Sequence, residues 1–308
     1  MRSSFVLLFF VFCQICCGQV DTTWTGGDGI WGDINSWDNG VPDIFSNAFL
    51  NSDAGEVVQN QPPFAIVSGL FLQGGNTRLV LENELSVWSE FEWNGGEIAG
   101  AQPLNVQGAA SMSSARLSTT LNNSGTFTFG NKTGSGNFLT HPDSVWNNLN
   151  GSSLEFETSG IFGTIGSDSA GTLHNSVGAK LHFKSPAVYV LMDVYNDGLI
   201  EVEPGFQALF VNDFVQSESG SIHLNDSFID FFRPSSFDGV ITGKGSIINM
   251  TAPFSGTLIP GDSEIGTIGV TSLNMTSDAR LDFQIGPNGS SDQVSNTGGD
   301  LQIEGTLN

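Results

Sequence analysis

Five segments of the chain follow one plan, which is a turn rich in Asn or Ser, a glycine, and then a short strand of alternating residues. They are NNSGTFTF (122–129), NLNGSSLEF (148–156), HNSVGAKLHF (174–183), YNDGLIEV (195–202) and SESGSIHL (217–224). Asn and Gly both tolerate positive φ, so each turns the chain sharply before it extends. Gly125, Gly151, Gly178, Gly198, Gly220 and Gly245 are spaced by 26, 27, 20, 22 and 25 residues. That interval suits one coil of a β-solenoid, in which each rung buries its inward residues against the rungs before and after it. Within the strands, runs such as Thr126-Phe127-Thr128-Phe129, Leu154-Glu155-Phe156-Glu157 and Leu281-Asp282-Phe283-Gln284-Ile285 alternate as a half-buried strand requires. No window sustains apolar residues at helical spacing. The fold expected is all-β, a single-stranded right-handed parallel β-helix. An antiparallel β-sandwich, which more often shows turns every 8–12 or so residues, is the alternative.

Residues 1–18 read as an export signal: Arg2, the apolar run Phe5 to Cys13, then small residues before Gln19. No later stretch reaches the roughly 18 consecutive apolar residues of a membrane helix. Cys13, Cys16 and Cys17 all fall inside this segment, so the exported chain has no disulfide and must stand on buried apolar surface alone. Residues 19–60, with Trp24, Trp31 and Trp37, are expected to cap the solenoid, and 61–308 to form its coils. At the far end Leu301 and Ile303 alternate with no polar capping element after them, which raises the expectation of self-association through the C-terminal coil.

Charged residues make up only 13%, and acidic residues outnumber basic ones 32 to 9, for a formal charge of −23. Such a surface repels nucleic acid and anionic lipid. Four histidines, His141, His174, His182 and His223, are scattered without metal-ligand spacing, and no nucleophile elbow or phosphate loop occurs. Gly26-Gly27-Asp28-Gly29 with Asp33 has the flavour of a calcium-binding glycine-aspartate repeat, but occurs once. No metal and no cofactor is implied. Two acidic pairs, Asp226 with Asp230 and Glu201 with Glu203, have the even spacing that shares a strand face, the minimum for a glycoside hydrolase. A lyase acting on uronates needs a cationic cluster, and the few Lys and Arg are not clustered in the sequence. Trp24, Trp31 and Trp37 are the candidate sugar-binding platform, against their role as a cap. Seven N-glycosylation sequons, at Asn122, Asn131, Asn150, Asn225, Asn249, Asn274 and Asn288, are close in number to what composition alone produces, and turn placement would leave them open to glycans.

Both ends also carry a family resemblance. The segment Trp24-Thr-Gly-Gly-Asp-Gly-Ile-Trp31 with Asn35, Trp37, Gly40 and Pro42 resembles the opening of bacterial autotransporter-like passengers and related secreted repeat proteins. Gly256-Thr-Leu-Ile-Pro260-Gly261-Asp-Ser263-Glu-Ile-Gly266-Thr-Ile resembles their G-x-L-x-P-G-x-S-x-G-x-L element, followed by the Ser-Asp-Gln-Val step at 291–294. The resemblance implies a parallel β-helix displayed outside the cell, and carries over no catalytic residue. The expectation is therefore a secreted structural or adhesive solenoid meeting extracellular polysaccharide or cell-surface components. A carbohydrate-active enzyme or carbohydrate-binding module is the alternative.

Overall fold

The computed structural model describes residues 19–51, 54–130, 136–163, 171–233, 235–250 and 252–307. Residues 1–18, expected to be an export signal, and the sequon at Asn131 lie outside them. Among the described residues every pairing between named strands is parallel, each strand joining its counterpart one coil away. The fold is thus the parallel β-solenoid, not the antiparallel sandwich.

Three sheets form its sides. Sheet 1 runs from Val20–Thr23 through Ser46–Leu50, the later half of Phe64–Gln73 and such strands as Thr126–Phe129, Ser153–Phe156 and Lys180–Phe183 to Thr257–Pro260. Sheet 2 includes Glu56–Gln59, Arg78–Leu81, Gly136–Thr140, Gln207–Phe210 and Thr267–Val270. Sheet 3 includes Leu104–Val106, Thr120–Asn123, Val145–Asn148, Thr172–Asn175 and Asp193–Asn196. Four long strands, Phe64–Gln73, Glu84–Asn94, Ser221–Phe231 and Val240–Ile248, bend round a corner from one sheet into the next. The strands of residues 19–59 already pair within sheets 1 and 2, so no break in the sheets marks position 60.

Alternation sends one residue in two inward, and parallel in-register pairing places it on its counterpart in the next coil. In sheet 1 this makes one continuous column: Ala48, Leu70, Phe91, Ala110, Phe127, Leu154, Leu181, Ile200, Ile222, Ile241, Leu258 and Leu281, all buried. Larger rings fill the middle of the rod, where Phe127, Phe138, Trp146, Phe156 and Phe162 pack edge to face or tilted at 4.7 to 5.4 Å.

The corner between sheets 3 and 1 is held by buried asparagines. Asn123 Nδ2 donates to Asn148 Oδ1 at 2.8 Å, Asn148 Nδ2 to Asn175 Oδ1 at 2.9 Å, and Asn175 Nδ2 to Asn196 Oδ1 at 2.8 Å. Each amide also donates to a carbonyl at the start of the next coil: those of Ser153, Lys180, Leu199 and Ser221 in turn. These turn asparagines were expected for their backbone freedom; the structure uses their side chains as a ladder.

The glycine pattern needs a correction. Gly125 lacks positive φ, and the constraint there is steric, since a Cβ would strike the carbonyls of Gln107 and Gly108 in the preceding coil. Gly245 does not continue the series, because it lies at the next corner, between sheets 1 and 2, and Gly239 takes the expected place above Gly220. The alternating run at 281–285 is also shorter than expected. Its strand ends at Leu281, and Ile285 is 85% exposed. Asp292 is the cause, since its buried carboxylate accepts from the backbone N–H of Gly266 at 2.8 Å and of Gln284 at 2.6 Å and draws the segment off the sheet.

Replacing Asn148 by Ala removes an acceptor from Asn123 and a donor from Asn175 and the Lys180 carbonyl. Urea unfolding is expected to show a loss of about 3 kcal/mol, whereas Asn150→Ala, exposed in the same turn, should stay within about 0.5 kcal/mol.

Candidate functional site

Chemistry-bearing side chains gather on the outer face of sheet 1. The outward column Thr128, Glu155, His182, Glu201, His223 and Thr242 is in register through successive strands, so carboxylate and imidazole alternate along the rod. Beside it stand Lys180, Lys184 and Glu203. Lys184 Nζ donates to Glu155 at 2.8 Å, and Lys180 pairs with Glu201. His182 Nε2 lies 2.8 Å from Glu203 Oε1 and 3.6 Å from Glu201 Oε2. His223 Nδ1 and the Thr242 hydroxyl are 2.9 Å apart.

His182 points outward as expected, yet only 8% of it is exposed, because its carboxylate neighbours close over the ring. Glu201 and Glu203 do share the outward face. The Lys and Arg scatter is corrected in part, since stacking brings Lys180 and Lys184 into one cluster with two histidines. Asp226 and Asp230 are not brought together as an even-spaced pair. A bulge between Asn225 and Ser227 breaks the alternation, with Asp226 at φ +47° on the corner, while Asp230 accepts from Asn249 Nδ2 at 2.7 Å on sheet 2.

A carboxylate hydrogen-bonded to an imidazole has the geometry of an acid–base pair. Burial raises the pKa of Glu201, but the hydrogen bond and charge of Lys180, with His182 and His223 behind it, outweigh burial and leave it below its ordinary value. A carboxyl so held is an anion at neutral pH and a poor proton donor. Stacking also joins Asp193 and Asp213, which their separation in the sequence hides. Burial raises the pKa of Asp193; the Asp213 N–H works against it, the Asp213 charge adds to it, and Arg233 opposes.

The tryptophan platform is not available to a sugar. Trp24, Trp31 and Trp37 are buried, packed edge to face at 5.1 and 4.9 Å, and the Trp37 N–H donates to the Trp31 carbonyl at 2.7 Å. They pack on one another within the first coil. Trp93 and Trp146 are core, and Trp88 is an exposed corner residue. The carboxylates of the Asp28 region are occupied by backbone: Asp28 accepts from Glu56 N–H and Asp33 caps a short helical turn at Asn35. On sheet 3 the outward amides of Asn105, Asn122 and Asn147 form a second, exposed-side ladder at 2.7 and 2.8 Å, and His174 stacks on Tyr195 at 5.1 Å. His141 sits at a corner, 3.6 Å from Asp143. The sequons divide accordingly. Asn150, Asn225, Asn249 and Asn288 are exposed, whereas Asn122 and Asn274 are half-buried in strands and Asn122 is committed to the ladder. No known family model, curated protein or solved structure matches this chain.

The two shifted carboxyls should respond oppositely to substitution. Glu201, lowered in the fold, adds stability above its unfolded pKa that is lost as pH falls through the lowered value. Glu201→Gln should therefore lower stability at neutral pH by about 1 kcal/mol, with the deficit vanishing in acid. Asp193, raised in the fold, subtracts stability at neutral pH and returns it as pH falls. Asp193→Asn, which keeps the acceptor for Asp213 N–H, should raise the unfolding midpoint at neutral pH and not in acid.

Proposed function

We propose that the chain is a secreted, non-catalytic structural or adhesive solenoid that presents its side faces to extracellular polysaccharide or cell-surface components. The observation that carries this reading is the pairing of its charged side chains between rungs. Lys180, Lys184 and Lys244, with Arg78 and Arg233, each face a carboxylate of a neighbouring rung. On sheet 1 these pairs hold the acid–base groups as a ladder, with Glu201 kept anionic. A hydrolase needs one carboxyl protonated beside one that is not. The apolar export segment, the acidic surface and the resemblance of both chain ends to autotransporter-like passengers support the same reading.

The competing reading, a carbohydrate-active enzyme, has one specific observation in its favour, the His182–Glu203 contact with Glu201 alongside. A single experiment separates them. The full chain is incubated with immobilised neutral and uronate polysaccharides, and both retention and release of new reducing ends are measured. Retention without release is expected. Release that disappears in Glu203→Gln and in His182→Asn, with retention intact, would overturn the non-catalytic reading.

A further inference from the structure

Sheet 2 carries a trough of about 530 Å³ on its outer face, crossing the rungs of Gln207, Phe228, Ser246, Gly269 and Ser295. Adjacent strands lie about 4.8 Å apart, so the trough extends roughly 19 Å along the rod. Gly269 lines it at the middle rungs. This glycine faces outward between the inward Ile268 and Val270, does not adopt positive φ, and would place a Cβ no nearer than 3.0 Å to Ser246 Oγ. Neither backbone conformation nor the neighbouring backbone requires glycine there; a side chain needs only the Ser246 hydroxyl to turn aside. A glycine inside a strand often marks a place where another molecule approaches closely.

The polar groups of the trough differ from those elsewhere on the rod. On sheet 1 Glu155, Lys180, His182, Lys184, Glu201 and Glu203, and on sheet 3 Asn105, Asn122 and Asn147, are spent on one another. In the trough the Gln207 amide, the Asp226 carboxylate and the hydroxyls of Ser246, Thr267 and Ser295 have no side-chain hydrogen-bond partner among the described residues. Phe206 and Phe228 supply aromatic surface at the same end as Asp226. No cation lines the trough and one carboxylate does, within a chain of formal charge −23. Uronates, sulfates and phosphates are therefore repelled. Unspent hydroxyl and amide groups beside aromatic surface match a neutral polyol, whose hydroxyls exchange hydrogen bonds and whose C–H faces pack on rings.

We infer that this trough is a binding subsite for a neutral oligosaccharide lying along the rod axis, held by Gln207, Asp226 and the Ser246–Ser295 hydroxyls against Phe206 and Phe228. The inference rests on the adhesive reading above and names its ligand class. Cellotetraose, mannotetraose, tetra-N-acetylchitotetraose and tetragalacturonate are titrated into the full chain by calorimetry, with Gly269→Leu, Ser246→Gln and Phe228→Ala as trough variants. Tyr195→Ala on sheet 3 is the control. All four positions face outward, and an unchanged circular dichroism spectrum and unfolding midpoint qualify each variant. At least one neutral tetrasaccharide should bind, tetragalacturonate should not, and each trough variant should weaken binding tenfold or more while Tyr195→Ala leaves it unchanged. Binding of no neutral probe, undiminished binding in both Gly269→Leu and Ser246→Gln, or equal binding of tetragalacturonate overturns the assignment. If the chain retains polysaccharide while the trough variants have no effect, the subsite fails and the adhesive reading stands. If the tetrasaccharide binds in the trough and is cleaved, the subsite stands and the non-catalytic reading fails.

Discussion

The buried amides of Asn123, Asn148, Asn175 and Asn196 are the interaction on which the middle of the rod depends. A chain that turns a corner inside its own core leaves peptide groups without strand partners, and each orphan costs about 1–3 kcal/mol. One side-chain amide per coil answers that cost in two directions, along the ladder to the next asparagine and across to a carbonyl of the next coil. With the corner fixed, the strand that follows can start at only one position. Its inward residues then fall on those of the preceding coil, whatever the lengths of the excursions on the other two sides. The amide-to-amide ladder ends at Asn196, and in the next coil Gln216 takes the corner, its longer side chain reaching the carbonyls of Gly220 and Val240 at 3.4 and 3.3 Å. Beyond it the corner is kept by close stacking of one backbone on another, as at Gly239, where a Cβ would meet the Gly220 carbonyl.

Register in turn sets the packing. Because identical positions lie one above another, neighbouring rungs compete for the same volume, and the inner column answers by varying size. Ala110 separates Phe91 from Phe127, and the space it leaves lets the two rings meet edge to face at 5.8 Å, although their strands are two rungs apart. Farther along, where Ile200, Ile222 and Ile241 follow one another, the column is uniform and branched side chains stack directly.

The turn-glycine-strand unit made the coil legible in the sequence because three local requirements coincide there: a sharp corner, no room for a Cβ, and alternation afterwards. What stayed hidden has a physical reason in each case. Gly239 and Gly245 look alike as letters, and only the strand pairing tells which corner each one turns. Leu281 to Ile285 alternates correctly, but the pull of Asp292 on Gln284 is a tertiary contact with no local signature.

The candidate site was legible residue by residue and illegible as a site. Glu155, His182, Glu201 and His223 belong to four strands, and their separations in the sequence are those of whole coils, set by loops with no bearing on chemistry. Short motifs carry information when a turn or a helix brings neighbours together. In a parallel solenoid neighbours in the chain are sent to opposite faces, and only residues a coil apart share one. The same logic separates the faces from one another. On sheet 1 opposite charges meet at rung spacing and neutralise one another in place. On sheet 3 the amides do the same. Along the later coils of sheet 2 a glycine and two serines in register leave nothing to pair with one another, so the hydroxyls there stay unspent at the surface. A rod with a continuous hydrogen-bonded frame thus differentiates its sides by the outward residue alone, and the face with the smallest side chains keeps the most capacity for a ligand.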